Sequence, residues 1–448
     1  MTSPIYDFVK KYAESGTIRA HMPGHKGICS ESCGFSSAYN YDITEICGAD
    51  YLFASDGIIA ESEKNASELF GTAETIYSAA GSTACIQAML ASVCRPGDTV
   101  AAARNSHIAF INACALLGLE VEWIYPESLN KNNTNGIISG DISPDSAETA
   151  IENSDPVCVY ITSPDYLGHF NDIAGISEVC RRHGKYLLCD NAHGAYTAFL
   201  SPSLHPIHLG ADICCDSAHK TLPVLTGGAY LHVGNIALIG RTKKNMSMFC
   251  STSPSYLIMQ SLDLCNKYLA DDFPRKLDNT VKILSEIKCS LSDSWEILDS
   301  EPLKLVLYTP PHGYTGDETA DILRKNGVEC EYSDHDHIVM MFTPNNTDIE
   351  LYSIEKILKY IPAKEPPVKS PDLHFSHPKK ALSLREAVFA ESEFIPADDI
   401  KKAVGRICGK TVYCCPPGIA AAVPGEIISE ETAEMIRIYG NGGINCIV

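Results

Sequence analysis

Basic charge is what this chain most lacks. Its 35 lysines and arginines face 56 aspartates and glutamates, a formal net charge of −21 over 448 residues. Phosphate backbones are bound by an excess of Lys and Arg, so nucleic acid is excluded as the main partner. Long apolar runs are missing too. Nothing approaches the roughly 18 consecutive apolar residues of a membrane helix. The opening "MTSPIYDFVKKYAESG" has no apolar signal core. No two cysteines stand at C-x-x-C spacing, although there are 19 of them. Cys29 and Cys33 are too far apart for a zinc knuckle, and the doublets Cys214–Cys215 and Cys414–Cys415 have no histidine at zinc-finger spacing. An odd, scattered set of thiols fits a reduced, soluble, cytoplasmic protein with buried free cysteines. Internal repeats and low-complexity tracts are also absent.

What is present is an alternation of strands and helices. Short apolar runs at 74–80, 98–104, 120–125, 156–162, 185–190, 211–217 and 228–233 read as strands. Helical patterns at 82–94, 106–118 and 175–184 lie between some of them. This predicts an α/β domain with a mostly parallel, buried, seven-stranded sheet. A further strand, helix and strand at 303–309, 316–326 and 337–343 suggest a smaller α/β unit. The expected organisation is an N-terminal arm (1–55), a large domain (56–290), a small α/β domain (291–362), a linker (363–372, "AKEPPVKSPD") and a C-terminal unit (373–448).

Ligands of such sheets gather at the carboxyl ends of the strands. There the chain places Gly81, Ser82 and Thr83, then Arg104 and His107, then Asp190, then Ser217, His219 and Lys220. Taken singly these are ordinary residues. An Asp ending a strand is usually a cap, Gly-Ser-Thr before a helix an N-cap, and a lysine a surface charge. Together they supply what pyridoxal phosphate needs. A lysine forms the Schiff base, an acid partners the pyridinium nitrogen, and a helix N-terminus with hydroxyls cradles the phosphate. Lys220, Asp190 and the Gly81–Thr83 turn, with Ser217 and His219, fit these parts, and His107 is available to cover the ring.

The order of motifs then resembles the Orn/Lys/Arg decarboxylases. The pieces are "HMPGHKG" (21–27), "DITEICGADYL" (42–52), "GSTA" (81–84), "RNSH" (104–107), "TSPDYLG" (162–168), "DNAHGA" (190–195), "DSAHKTLPVLTGG" (216–228), "STSPSYLIMQSLD" (251–263), "REA" (385–387) and "PPGI…VPGE" (416–426). The resemblance spans nearly the whole chain. It implies the aspartate-aminotransferase fold (type I) and pyridoxal 5'-phosphate. It further implies that Lys220 carries the Schiff base, Asp190 the pyridinium nitrogen and His107 the ring face. Ser82, Thr83, Ser217 and His219 would hold the phosphate. Ala192 would pack on the other ring face, and His193 would lie near the phenolic oxygen. Thr252 and Ser253 would reach the neighbouring subunit's phosphate, which implies a homodimer with shared sites. The long, acid-inducible members carry an extra N-terminal wing domain; the chain resembles the short form without it, so their large assemblies are not expected.

Several positions depart from the family pattern. His107-Ile108-Ala109 replaces His-Lys-Ser, Asp190-Asn191-Ala192 replaces Asp-Glu-Ala, and Gly227 replaces a glutamine. Ala49-Asp50-Tyr51-Leu52 replaces Leu-Asp-Asp-Leu, and "CCPPGIA" replaces "YPPGIP". None removes Lys220 or Asp190. The expected activity is decarboxylation of arginine, lysine or ornithine to the corresponding amine, with Lys220 or His219 returning a proton to the α-carbon. Asp50, Glu386 and Glu426 are candidates for the substrate's distal cation. The rivals are aminotransfer, elimination or cyclisation with the same cofactor, a non-catalytic homologue, and a zinc or redox role for the cysteines.

Overall fold

The computed structural model describes residues 1–29, 34–126, 141–365, 377–413, 418–439 and 442–448. Most of the expected linker and the "CCPP" stretch (414–417) lie outside the described residues, as does Cys33.

Seven strands form one sheet: β1 (Glu74–Ser78), β2 (Thr99–Ala103), β3 (Glu120–Ile124), β4 (Cys158–Thr162), β5 (Tyr186–Asp190), β6 (Ile213–Asp216) and β7 (Ala229–Val233). Their order is β1-β7-β6-β5-β4-β2-β3. The pairs β2–β3, β2–β4 and β5–β6 are parallel, while β7 runs antiparallel to both neighbours. The mostly parallel sheet expected from the sequence is therefore the one observed. Strands β4 and β7 are buried at every residue. This is why they read as continuous apolar runs and not as alternating ones.

Helix ends follow local chemistry. The helix expected at 106–118 runs Ile108–Leu117, because His107 caps it and Gly118 closes it in the left-handed conformation at φ +69°. The helix expected at 175–184 begins at Ile173, since the Asp172 side chain accepts the amide of Gly175. A four-residue helical turn, Ala218–Thr221, follows β6. It is too short to leave a periodic signature in the sequence.

The chain divides into two compact units, Met1–Val93 with Tyr186–Arg275, and Cys94–Lys185 with Lys276–Val448. The first holds β1 and β5–β7. Here β6 pairs antiparallel with β7 and β7 antiparallel with β1, so β1, β5 and β6 all point the same way. Their carboxyl ends share one edge with the amino end of β7. Two backbone bonds tie that edge together: Gly81 N–H to Gly227 C=O (2.8 Å) and His219 N–H to Gly228 C=O (3.3 Å).

The second unit holds β2–β4 and a four-stranded antiparallel sheet. That sheet contains β8 (Glu296–Ile297), β9 (Lys304–Tyr308), β10 (Tyr332–Ser333) and β11 (His337–Met341), in the order β10-β11-β9-β8. Its flanking helix Gly316–Lys325 starts with a capping box, Thr315 and Glu318 each bonding the other's backbone amide. Val306 and Val339 of this sheet join Ile395, Ile436, Ile444 and Cys446 in one apolar core.

Candidate active site

In the first unit the strand-end residues converge. Asp190 ends β5 and is 2% exposed. Its Oδ1 accepts from the Ala192 amide at 3.1 Å and from the Cys215 thiol at 3.6 Å. Burial, and then the charge of Asp190, push the Cys215 thiol well up, so it keeps the proton it donates. The segment after β6 turns at Ser217 into the short helix that carries Lys220. Lys220 Nζ lies 3.0 Å from His193 Nε2. A lysine and an imidazole at that distance share a proton, with one donor and one acceptor between them.

Ser217 is buried, with its Oγ 3.3 Å from His219 Nδ1. That nitrogen is also 3.3 Å from the Gly228 carbonyl. Since a carbonyl only accepts, His219 Nδ1 carries a proton. Ser82 and Thr83 open the helix Gly81–Val93 at the same sheet edge. Gly81 sits at φ +71°, and no heavy atom of the described residues lies within 4 Å of where its Cβ would be. The first-turn amides of this helix have no intrahelical acceptor.

His107 belongs to the second unit, half-buried, where its Nδ1 accepts the Ala109 amide at 3.1 Å. Thr252 and Ser253 occupy an exposed turn ahead of the helix Tyr256–Ala270, with Ser253 N–H on Ser251 Oγ.

The three carboxylates considered for a distal cation are each engaged. Asp50, at φ +69°, accepts the backbone amides of Tyr51, Asp56, Gly57, Ile59 and Ala60. Burial opposes its ionisation, but these amides together hold its carboxyl below the usual range. Glu386 closes a capping box with Ser383. Glu426 is 4% exposed and ion-paired with Arg104.

Sequence reasoning missed several polar residues. Asn105 is 2% exposed, and neither atom of its carboxamide has a partner among the described residues. Thr162 Oγ1, at the end of β4, lacks one as well, as do Thr221 Oγ1 and Asn191 Oδ1. A buried polar atom without a partner is costly, and such atoms cluster where ligands complete the bonding. Asn105 stands inside the quoted "RNSH", but an Asn in a loop carries no sign of burial. Most of the described cysteines are buried.

These residues fit pyridoxal phosphate. Lys220 presents an amine beside a proton-exchanging imidazole. Asp190 presents a buried carboxylate held by two donors. The Gly81 turn leaves open space at a helix N-terminus flanked by Ser82 and Thr83. The unpartnered Thr221 hydroxyl adds a donor in the same segment.

Known proteins give the same fold. An arginine decarboxylase of Bacillus subtilis (strain 168) is 31% identical over 461 residues, covering 97% of this chain and 93% of its own. Lysine decarboxylase A from Pseudomonas aeruginosa superposes with a TM-score of 0.78 at 17% identity, over 99% of this chain and 80% of that one. An alanine–glyoxylate aminotransferase from Nostoc sp. superposes at 0.56 and 15% identity, over 67% of this chain and 85% of that one. The two structural likenesses bear on fold alone, and they bear out the aminotransferase-like architecture expected from the sequence. The family model described as "Orn/Lys/Arg decarboxylase, major domain" matches residues 3–304, two thirds of the sequence, and to that decarboxylase family the chain belongs.

Proposed function

We propose that the protein is a pyridoxal-phosphate-dependent decarboxylase of a basic amino acid, releasing carbon dioxide and the corresponding amine. The observation that carries this reading is the 3.0 Å approach of Lys220 Nζ to His193 Nε2 in the segment beside the buried Asp190, within a chain of this family. When bound, pyridoxal phosphate supplies an electron sink for the pair left at the α-carbon.

The residues do the rest. Lys220 would hold the cofactor through its Nζ, which must be neutral when it attacks, and His193 Nε2, 3.0 Å away, is the group placed to exchange a proton with that amine. Asp190 would face the ring nitrogen and keep a proton there. Ser82, Thr83 and the free amides of their helix turn would hold the phosphate, with Ser217 and His219. The proton returned to the α-carbon would come from Lys220 or from His219, whose Nε2 must first take one up because its Nδ1–H is engaged by the Gly228 carbonyl. His107 would lie against the ring. Thr252 and Ser253, exposed on this subunit, would serve the phosphate of a second copy, making the working unit a homodimer. Buried free thiols suit a cytoplasmic setting.

The test is to incubate the holoprotein with arginine, lysine and ornithine and to identify the products. One carbon dioxide per amine supports the reading. An accumulating oxo-acid assigns aminotransfer instead, and a protein that stays colourless with added cofactor assigns a non-catalytic role.

A further inference from the structure

Beneath the Lys220 segment lies a fully buried polar cluster that the proposed chemistry does not use. Asp216, His205, His232 and Asn191 are all 0% exposed. Asp216 Oδ2 receives His205 Nε2 at 3.2 Å and His232 Nε2 at 3.1 Å. Its Oδ1 receives Asn191 Nδ2 at 2.7 Å and the Cys214 thiol at 3.7 Å. His232 Nδ1 meets Thr75 Oγ1 at 2.9 Å on β1.

Two imidazoles and a carboxylate are also a metal-type set, their ligand atoms lying within 4.8 Å of one another. The rings argue for hydrogen bonding. A metal would take both Nε2 lone pairs and drive each ring's proton onto Nδ1, and His205 Nδ1 has no acceptor among the described residues. Buried N–H groups without an acceptor are rare, whereas a bare ring nitrogen is tolerated better. Both rings therefore present Nε2–H to Asp216. The carboxylate stays ionised, held by neutral donors.

A fold does not need a carboxylate here, because a buried charge stabilises no better than apolar packing. Its bonds have a particular destination. Asn191 directly follows Asp190, and Asp216 stands four residues before Lys220. The Asn191 amide also bonds the Cys215 carbonyl at 3.0 Å, and the Cys215 thiol bonds Asp190. Three links thus join the end of β5 to the end of β6, and each runs through a residue adjacent to Asp190 or Asp216 or through those carboxylates themselves.

We infer that Asp216 is a positioning residue for the site proposed above, its grip on Asn191 fixing the Asp190 segment against the Lys220 segment, with His205 and His232 holding its other oxygen. The inference rests on that reading of the site. It also accounts for one departure from the family pattern. A glutamate at 191, where the family has Asp-Glu-Ala, would face Asp216 with a second buried anion, whereas a carboxamide can donate. The titratable groups around this network are His208 beside His232, and Tyr230, Cys85, Cys214 and Cys215 beside Asp216.

The experiment uses the full-length protein reconstituted with pyridoxal phosphate. It reads the cofactor dissociation constant, the pH midpoint of the Schiff-base absorbance and the thermal midpoint of the cofactor-free protein. Asn191→Glu is expected to weaken cofactor binding about tenfold or more and to move the absorbance midpoint. Asn191→Glu/Asp216→Gln exchanges donor and acceptor and is expected to return within about threefold of the parent. If Asn191→Glu does not fold, His232→Ala against His232→Gln decides. The glutamine keeps a donor to Asp216 and should retain the midpoint that alanine shifts. Variants that lower only the thermal midpoint, with affinity and absorbance midpoint unmoved, overturn the inference while leaving the site reading intact. A parent protein with no Schiff-base absorbance overturns both.

Discussion

Arg104 and Glu426, 322 positions apart, meet as a two-pronged ion pair, Nη1 to Oε1 at 2.6 Å and Nη2 to Oε2 at 2.7 Å. The side chains are 0% and 6% exposed, and Arg104 Nε also donates to the Ala420 carbonyl. Burial alone would weaken the arginine's hold on its proton, but the charge of Glu426 outweighs it. Glu426→Ala would strand a buried guanidinium. It should cost about 3–5 kcal/mol in urea denaturation, and Arg104→Met/Glu426→Met should recover most of that loss.

Lys220 and His193 can be separated by what each removes. Lys220→Ala should leave a protein with no cofactor linkage that borohydride can trap, and no yellow colour. His193→Gln should keep the colour but lower kcat by roughly 10²–10⁴-fold, the range for a lost proton-transfer group. Absorbance spectra and steady-state rates on the same preparations check both.

Cys215 tests the support of Asp190. Cys215→Val keeps a similar volume but removes the S–H donor to Oδ1. Cofactor affinity should fall by about 1 kcal/mol, the net worth of one hydrogen bond. A spectroscopic titration of the cofactor-free protein measures this.

Two buried groups give opposite pH dependences. Burial holds His232 below the usual imidazole range, although Asp216 pulls the other way. An unfolded chain takes up that proton near pH 6.5 while the folded chain still refuses it, so this residue's contribution is present above about pH 6.5 and is lost as pH falls. Asp263 is pushed up to about 6, mainly by burial, so the folded chain binds its proton first. Its penalty is full above pH 6 and lifts as pH falls towards 4. Stability measured from pH 7.5 to 4 should therefore fall less steeply on acidification in His232→Gln and more steeply in Asp263→Asn.

Asp50 is a structural cap on the helix Ile58–Phe70. Asp50→Ala should cost roughly 0.5–2 kcal/mol, as lost caps do. The rank order of amino-acid substrates should stay unchanged. A switch in that order on the substrate panel would return Asp50 to the substrate pocket.

Much of the site is local in origin, which is why it was legible. Asp190 and Lys220 sit at strand ends because apolar runs stop there, and a run's end is visible in the letters. The sheet edge they share follows from strand direction, which alternation of strands and helices predicts. The partners that hold them are not local. Asn191, His205 and His232 reach Asp216 from three separate stretches of chain, and each taken alone is a polar residue of no stated use. The short helix Ala218–Thr221 was missed because one turn leaves no period. The partners of the three carboxylates considered for the substrate were hidden for the same reason, since they are backbone amides or a distant arginine.

The sequence by itself determined the sheet-forming runs, the acidic surface and the order of strand-end residues, because periodicity, charge and spacing are properties of neighbours along the chain. Only the tertiary structure decided that His193 meets Lys220, that Glu426 is spent on Arg104 and that Asp216 is gripped by two imidazoles. Those contacts depend on which distant segments are packed together, and a buried charge takes its partner from whatever the packing brings within about 3 Å.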